Sequence, residues 1–384
     1  PASGGMEGVA VARPQDATGM LFANPGTLTQ LQGDNEFLVG ATFVSPDLDA
    51  KGPPTDLFGG APNQAPLTGP FNDDSRLNAA LAPNVAALQR FSDRFVAGFG
   101  FAAISGLGGD FRNVEGLPNL VSDLKIFGAN TGAAYQVTDR LSVGAVGTLA
   151  LANLQIGLSD SGGETNNFGV GGTAGATYDT GPLVLGLAYK SELSVTYDQV
   201  IETAPDSFED LELEQPREVQ VGIATSPALL PDSLIAAEFR WKNWSNAETY
   251  SSFWNDQFIG SLGLQHRFGS GPGAVTLRSG YSYSSNIRVD ESDLGNSFGK
   301  ITQVAAPDNS GSLPVTPTFL ELAQATIADG FWRQSLSAGF GIQVTDLIRF
   351  DFSGSFGFDG EEDIGRFESD GTIWQIGGGL TWTF

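Results

Sequence analysis

Large apolar side chains recur at every second position through much of the chain, and the C-terminal stretch carries the pattern most clearly. In residues 371–384 (GTIWQIGGGLTWTF), Trp374, Ile376, Leu380, Trp382 and Phe384 fall on even positions, with Ile373, Gln375, Gly377, Gly379, Thr381 and Thr383 between them. Period two puts the bulky apolar groups on one face of a strand and mostly small or polar groups on the other. A greasy outside and a small, polar inside suit a transmembrane β-barrel, because lipid offers the backbone no partners and every peptide group must pair within a closed sheet.

The alternation begins at Glu36, where Phe37, Val39, Ala41 and Phe43 share a face. It pauses over residues 45–75, rich in Pro, Gly and Asp, resumes at Leu77, Ala79 and Leu81, and continues through Phe95, Ala97, Phe99 and Phe101. From there tight turns (Thr138-Asp139-Arg140, Asp179 to Pro182, Ser226 to Asp232, Gly269 to Gly273, Thr345-Asp346) alternate with longer polar connections at 109–122, 156–165, 198–214, 245–256, 288–330 and 359–370. Short turns at one end and long loops at the other predict an all-β, antiparallel transmembrane barrel of about fourteen strands. Parity sends Leu185, Leu187, Tyr189, Val221, Ile223, Ile235, Phe239, Phe350 and Phe352 outward. It sends Lys190, Glu218, Glu238, Arg240, Lys242, Arg278, Arg333, Arg349 and Asp351 inward. Lumen charges of both signs fill a polar wall by pairing; Arg240, Lys242, Arg278 and Arg349 are also candidates to meet a ligand head group. Tyr135, Tyr178, Phe268, Trp382 and Phe384 near the short turns, and Tyr189, Trp241, Trp244, Phe358 and Trp332 near the loops, are expected to form two aromatic girdles.

Composition narrows the function. Only 16% of the 384 residues are charged, 51 are Gly, none is Cys and one is His. Zinc sites built on Cys or His and most His-based catalysis are thereby removed, and no cofactor is implied. No run of about 18 apolar residues offers a helical span, so strands must make any crossing. A net charge of −25 opposes nucleic acid as a partner. The sole imidazole, His266, shares an outward face with Leu262, Leu264 and Phe268, away from any nucleophile, so no enzyme is expected. Glu361, Glu362 and Asp363 could hold a divalent ion, but charge runs in loops are ordinarily solvated.

Residues 1–35 neither alternate nor follow a helical period, and Pro14 and Pro25 break them into a compact irregular segment. The stretch SGGMEGVAVARPQDATGMLFANPGTLTQL resembles the N-terminal hatch of the FadL-type outer-membrane transporters of long-chain fatty acids and hydrocarbons, with Asn24-Pro25-Gly26 where that family usually has Asn-Pro-Ala. AYQVTDRLSVGA (134–145), PREVQVGIA (216–224), Trp241, Trp244-Ser245, Phe331-Trp332-Arg333 and the closing strand extend the resemblance over the whole chain.

The resemblance implies a hatch at 1–35 inside a barrel at 36–384. It also implies passive uptake of hydrophobic molecules in the outer membrane of a Gram-negative cell, and a kink in the third strand that opens a lateral exit. Within the hatch, Met6, Val9, Val11, Leu21 and Phe22 are expected to form one apolar side, with Asn24 and Pro25 fixing a buried turn. Above it a largely apolar pocket is expected. In the third strand the alternation fails at Ile104, Ser105, Gly106, Leu107 and Gly108, where clustered Gly signals either an interrupted pairing or a strand end. The resemblance favours the opening. Two departures stand out. The 156–163 connection is far shorter than the family's, leaving 45–75 and 288–330 to capture solute, the latter through a short helix with Phe319, Leu322, Ala323, Ala325 and Thr326 on one face. After Trp244-Ser245 no Lys offers a clamp for a carboxylate. Expected partners are a hydrophobic solute, outer-membrane lipid and lipopolysaccharide, and the barrel-assembly machinery through the C-terminal strand, with the protein a monomer. A barrel lipase or protease and a general porin are the competing readings.

Overall fold

The alternating segments pair in sequence order into one closed sheet. The computed structural model describes residues 1–384 except 60–66, 78, 158–162, 307–310 and 327–331. Fourteen long antiparallel strands form the wall. They are β1 Asn35–Gly52, β2 Ala80–Ser92, β3 Phe95–Asp110, β4 Val121–Gln136, β5 Leu141–Gly157, β6 Gly163–Asp179 and β7 Val184–Lys190. The second half comprises β8 Glu218–Thr225, β9 Ser233–Lys242, β10 Gln257–Phe268, β11 Val275–Ser284, β12 Gln334–Gln343, β13 Ile348–Phe358 and β14 Phe367–Thr383. β14 closes on β1 in register from Glu36↔Thr383 to Lys51↔Glu368, which removes the sheet edge that lipid could not satisfy. No helix among the described residues is long and apolar enough to cross a membrane.

Parity holds around the wall. Leu187, Val221, Phe239, Leu264 and Trp374 are exposed outward, while Gln220, Glu238 and Asp351, one position away from outward residues, are buried within. The tight turns use local chemistry: in Asp179 to Pro182, Gly181 takes φ +96° and donates its N–H to Asp179 Oδ1 at 2.7 Å. Both ends of the wall meet at the short-turn rim, where the Asn35 N–H donates to the Phe384 carbonyl at 2.8 Å.

The long connections fold over the other rim into a packed cap. Helix α2 (Pro317–Thr326) lies in it together with a hairpin of Leu193–Ala204 and Ser207–Gln215. Trp244, Tyr250, Phe253 and Trp254 stack into its aromatic centre, with ring centroids 4.6 to 5.9 Å apart. This apolar cluster continues into the upper inner wall through Leu124, Ile126, Ala150, Ala152 and Leu154.

Three expectations change here. β1 extends to Gly52, so residues 45–52 are strand: above the membrane an outward face need not be apolar, and β14 supplies their partners. Trp244 is buried in the cap and Trp332 faces the interior cavities, so neither belongs to a girdle. Helix α2 is buried on every side, Glu321 and Gln324 included, not on one face.

Candidate functional site

The residues before β1 pack against the wall from its inner face, most of them buried. Their short 3-10 turn Ser3–Met6, helix α1 (Ala17–Phe22) and second 3-10 turn Pro25–Gln30 meet inward-facing atoms on strands around the circumference. Asn24 and Pro25 are buried: Asn24 caps the second turn by accepting from the Gly26 N–H at 2.9 Å, with Pro25 at the first position, where no N–H is needed. Asn24 Nδ2 donates to the carbonyls of Val11 at 2.6 Å and Ala176 at 3.1 Å, joining the segment to itself and to β6.

Met6, Val9, Val11 and Leu21 are fully buried and Phe22 partly so, but they do not form one side. Met6 and Val9 pack with Val184, Ala224 and Leu234, whereas Leu21 and Phe22 join Leu38, Leu88, Val96 and Val146 on another sector. The backbone between them lies so close to the wall that side chains there would collide. A Cβ on Gly186 would stand 2.1 Å from the Val11 carbonyl oxygen, and one on Gly175 would stand 1.9 Å from Asn24 Oδ1.

Wall polar groups hold that backbone. Glu238 Oε2 accepts from the N–H groups of Ala10 and Val11 at 3.1 and 3.2 Å, and Glu36 accepts from Ala17 at 3.0 Å. Asn130 donates to the Leu21 carbonyl at 3.0 Å and Arg349 to that of Gln15 at 3.0 Å. The four candidate lumen cations are all paired. Arg240 bonds Glu238 at 3.0 Å, Lys242 lies 3.9 Å from Glu218, and Arg278 and Arg349 share Asp351 at 2.8 and 2.7 Å. Charge therefore fills the wall and fixes the inner segment.

Next to that segment is a cavity of about 450 Å³. Its lining mixes Glu7, Lys190, Arg240, Ser335 and Ser353 with Ala10, Phe22, Trp332 and Ile373, so it is about half polar where a largely apolar pocket was expected. Glu7 adopts a left-handed backbone (φ +55°) and receives a bond from Ser282 at 3.3 Å. Burial pushes its carboxyl above the usual range, against the opposing effect of Ser335, Ser337 and Ser282.

A second cavity, about 840 Å³, shares Thr18, Thr42, Trp332, Ile373 and Gln375 with the first and extends into the wall between β2 and β3. There the β2–β3 pairing runs from Ser92↔Phe95 to Asn84↔Ala102 and stops. Above it, among the described residues, Ala80–Pro83 have ladder partners on β1 alone and β3 on β4 alone, up to Asp110↔Val121, where the Asp110 carbonyl also accepts from the Arg76 N–H at 2.7 Å. Ile104 is the extra residue of a bulge between Ala103 and Ser105, and its side chain lies over Gly128. Ile104, Ser105 and Gly106 line this cavity with Leu77 and Ala79 to Asn84. Leu107 and Gly108 continue the ladder, opposite Leu124 and Asp123. β3 is thus not interrupted at its glycines; the missing pairing is on its β2 side.

The family model for outer membrane protein transport proteins (OMPP1/FadL/TodX) matches residues 5–209. The chain belongs to this family. No curated protein matches it in sequence. The FadL-type fold is shared with the Pseudomonas putida toluene transporter TodX, at 16% identity and a TM-score of 0.67, covering 100% of this chain and 98% of that one. The Ralstonia pickettii toluene transporter TbuX matches at 16% and 0.65, and a Pseudomonas aeruginosa FadL homologue at 13% and 0.69, both with 100% and 98% coverage. This FadL-family barrel is an outer-membrane transport protein that crosses the membrane many times.

His266 faces outward beside Phe268, at a ring separation of 4.4 Å, but contrary to expectation it meets a hydroxyl: Ser233 Oγ lies 2.7 Å from Nδ1. The pair sits on the lipid side of β9 and β10, and no carboxylate orients the ring among the described residues. Among those residues no cluster of metal-ligating side chains occurs; Glu362 pairs instead with Arg333 and Arg288.

Proposed function

We propose that this protein is a passive uptake channel for small hydrophobic molecules, hydrocarbons or long-chain fatty acids, in the outer membrane of a Gram-negative cell. The observation that carries the reading is the 840 Å³ cavity, which spans from Thr18, Thr42 and Gln375 in the lumen to Leu81 and Gly106 on strand stretches unpaired toward each other. A solute there meets lipid without displacing residues 1–35, which act as the hatch of the 36–384 barrel. Loops 45–75 and 288–330 capture it. Burying about 200 Å² of apolar solute surface in lipid contributes on the order of 5 kcal/mol, so the exit needs no energy source. The barrel works as a monomer surrounded by lipid and lipopolysaccharide, and its C-terminal strand is the segment offered to the assembly machinery.

A plug in the opening tests this. A Cβ at Gly106 would have only the Leu124 carbonyl oxygen near it, at 3.9 Å, so Gly106→Trp fits the strand and sets an indole at the outer mouth of the opening, on the face shared with its partner Lys125. Cells carrying it should lose uptake of a hydrophobic fluorescent probe while heat-modifiable gel mobility stays normal. Full uptake by the folded variant overturns the lateral route.

A further inference from the structure

We infer that Pro83 on β2, not the glycines of β3, ends the β2–β3 ladder and so sets the height of the wall opening. This rests on the lateral-exit reading for its consequence, but not for its geometry. In a strand, the N–H and C=O of one residue point to the same neighbour, and successive residues alternate. On β2 the Arg90 N–H donates at 2.7 Å to the Asp34 carbonyl, on the β1 side, so even-numbered residues face β1. The carbonyls of Ala87 and Val85 lie 2.8 and 3.4 Å from the Cβ positions of Gly98 and Gly100 on β3, so odd-numbered residues face β3. The register is regular from Arg90↔Val96 to Asn84↔Ala102, so the alternation reaches position 83 unbroken.

Position 83 would therefore donate to Ala103, the next residue on β3. Proline has no N–H to give, and its ring occupies the space through which β3 would approach. The other side is unaffected: Pro83 stays in register with Ala41 on β1, which needs nothing from its nitrogen. A proline is tolerated in a sheet where its nitrogen faces away from any partner, and this one makes β2 an edge strand on one side only. The bulge at Ile104 then follows on β3 as the consequence of a lost partner. All four β2 residues that lack a partner on β3, Ala80 to Pro83, line the cavity together with Ala103 to Gly106.

The test is Pro83→Ala in the full-length protein in detergent micelles and in cells. Restoring the N–H should extend the ladder past Ala103, slowing amide exchange in residues 103–106 by about fivefold, the factor one net hydrogen bond supplies. Uptake of the hydrophobic probe should fall with it. Moving the proline to the next position that faces β3, as Pro83→Ala with Leu81→Pro, should return part of both. Unchanged exchange in the folded single variant overturns the role of Pro83, whatever happens to uptake. Slowed exchange with full uptake upholds Pro83 and removes the lateral route instead.

Discussion

Gly186→Ala should unseat the inner segment without harming the barrel. The added methyl would stand 2.1 Å from the Val11 carbonyl oxygen and 2.9 Å from Ala12 Cα, so the backbone there must retreat by about 1 Å to reach normal contact. Val11 is bonded to Glu238 at 3.2 Å, and a retreat of that size takes the pair out of hydrogen-bond range. Losing one bond to a charged acceptor costs about 1.5 to 3 kcal/mol, and overpacking adds about 1 to 3. A combined loss of about 2.5 to 6 kcal/mol falls on the inner segment alone, since the ladders that flank Gly186 on β6 and β8 use backbone groups an alanine retains. Single-channel conductance of the purified variant should rise, and limited proteolysis should cut within residues 1–34. Gly260→Ala, with nothing within 4 Å of its Cβ position, is the control. A folded Gly186→Ala barrel with unchanged conductance and unchanged protease resistance would refute the close-approach argument.

Deleting residues 1–30 should raise small-ion conductance in a correctly inserted barrel; an unchanged value counts against a plug. Arg278→Met should lower thermal stability by about 3 kcal/mol or less, because Asp351 loses one buried partner but keeps Arg349, and heat-modifiable mobility checks it. His266→Ala should leave uptake of the probe intact, since ring and hydroxyl both face the membrane; loss of uptake with normal folding would contradict that placement. Glu7→Gln should stabilise the inner segment at neutral pH. The wild-type carboxyl has a raised folded-state pKa, so its contribution is full below the ordinary value of 4.5 and declines as pH rises through the folded value. The gap between variant and wild type should therefore shrink on acidification, which thermal melts at two pH values would read.

The wall was legible because lipid imposes one rule at every outward position, and Leu185 to Tyr189 or Phe350 to Phe352 obey it locally. Outside the bilayer that rule lapses, so the Pro46 and Asp47 stretch looked like loop although β14 pairs it throughout. The inner segment was visible as an aperiodic stretch, but its two separate apolar clusters depend on which strands it touches, and no periodicity encodes that. Glycines give the same ambiguity: Gly106 has open space, Gly108 lies against the Ser122 carbonyl, and Gly186 receives the inner backbone, yet all three read alike in a strand. Pro83 was present in the sequence as a strand proline. Its meaning required knowing which neighbour its nitrogen faces, and that parity is counted from a pairing the sequence does not state.

The cap over the barrel mouth is apolar, aromatic and continuous with the inner wall. Under the proposed uptake function it acts less as a door than as an apolar layer into which a solute must partition. Under that proposal a water-soluble nutrient gains nothing by entering this layer, whereas a hydrocarbon would gain contact with apolar side chains. Selection by such a layer follows solubility more than shape, so uptake rates across a homologous series of solutes should track their oil–water partitioning until molecular size exceeds what the packed rings can yield.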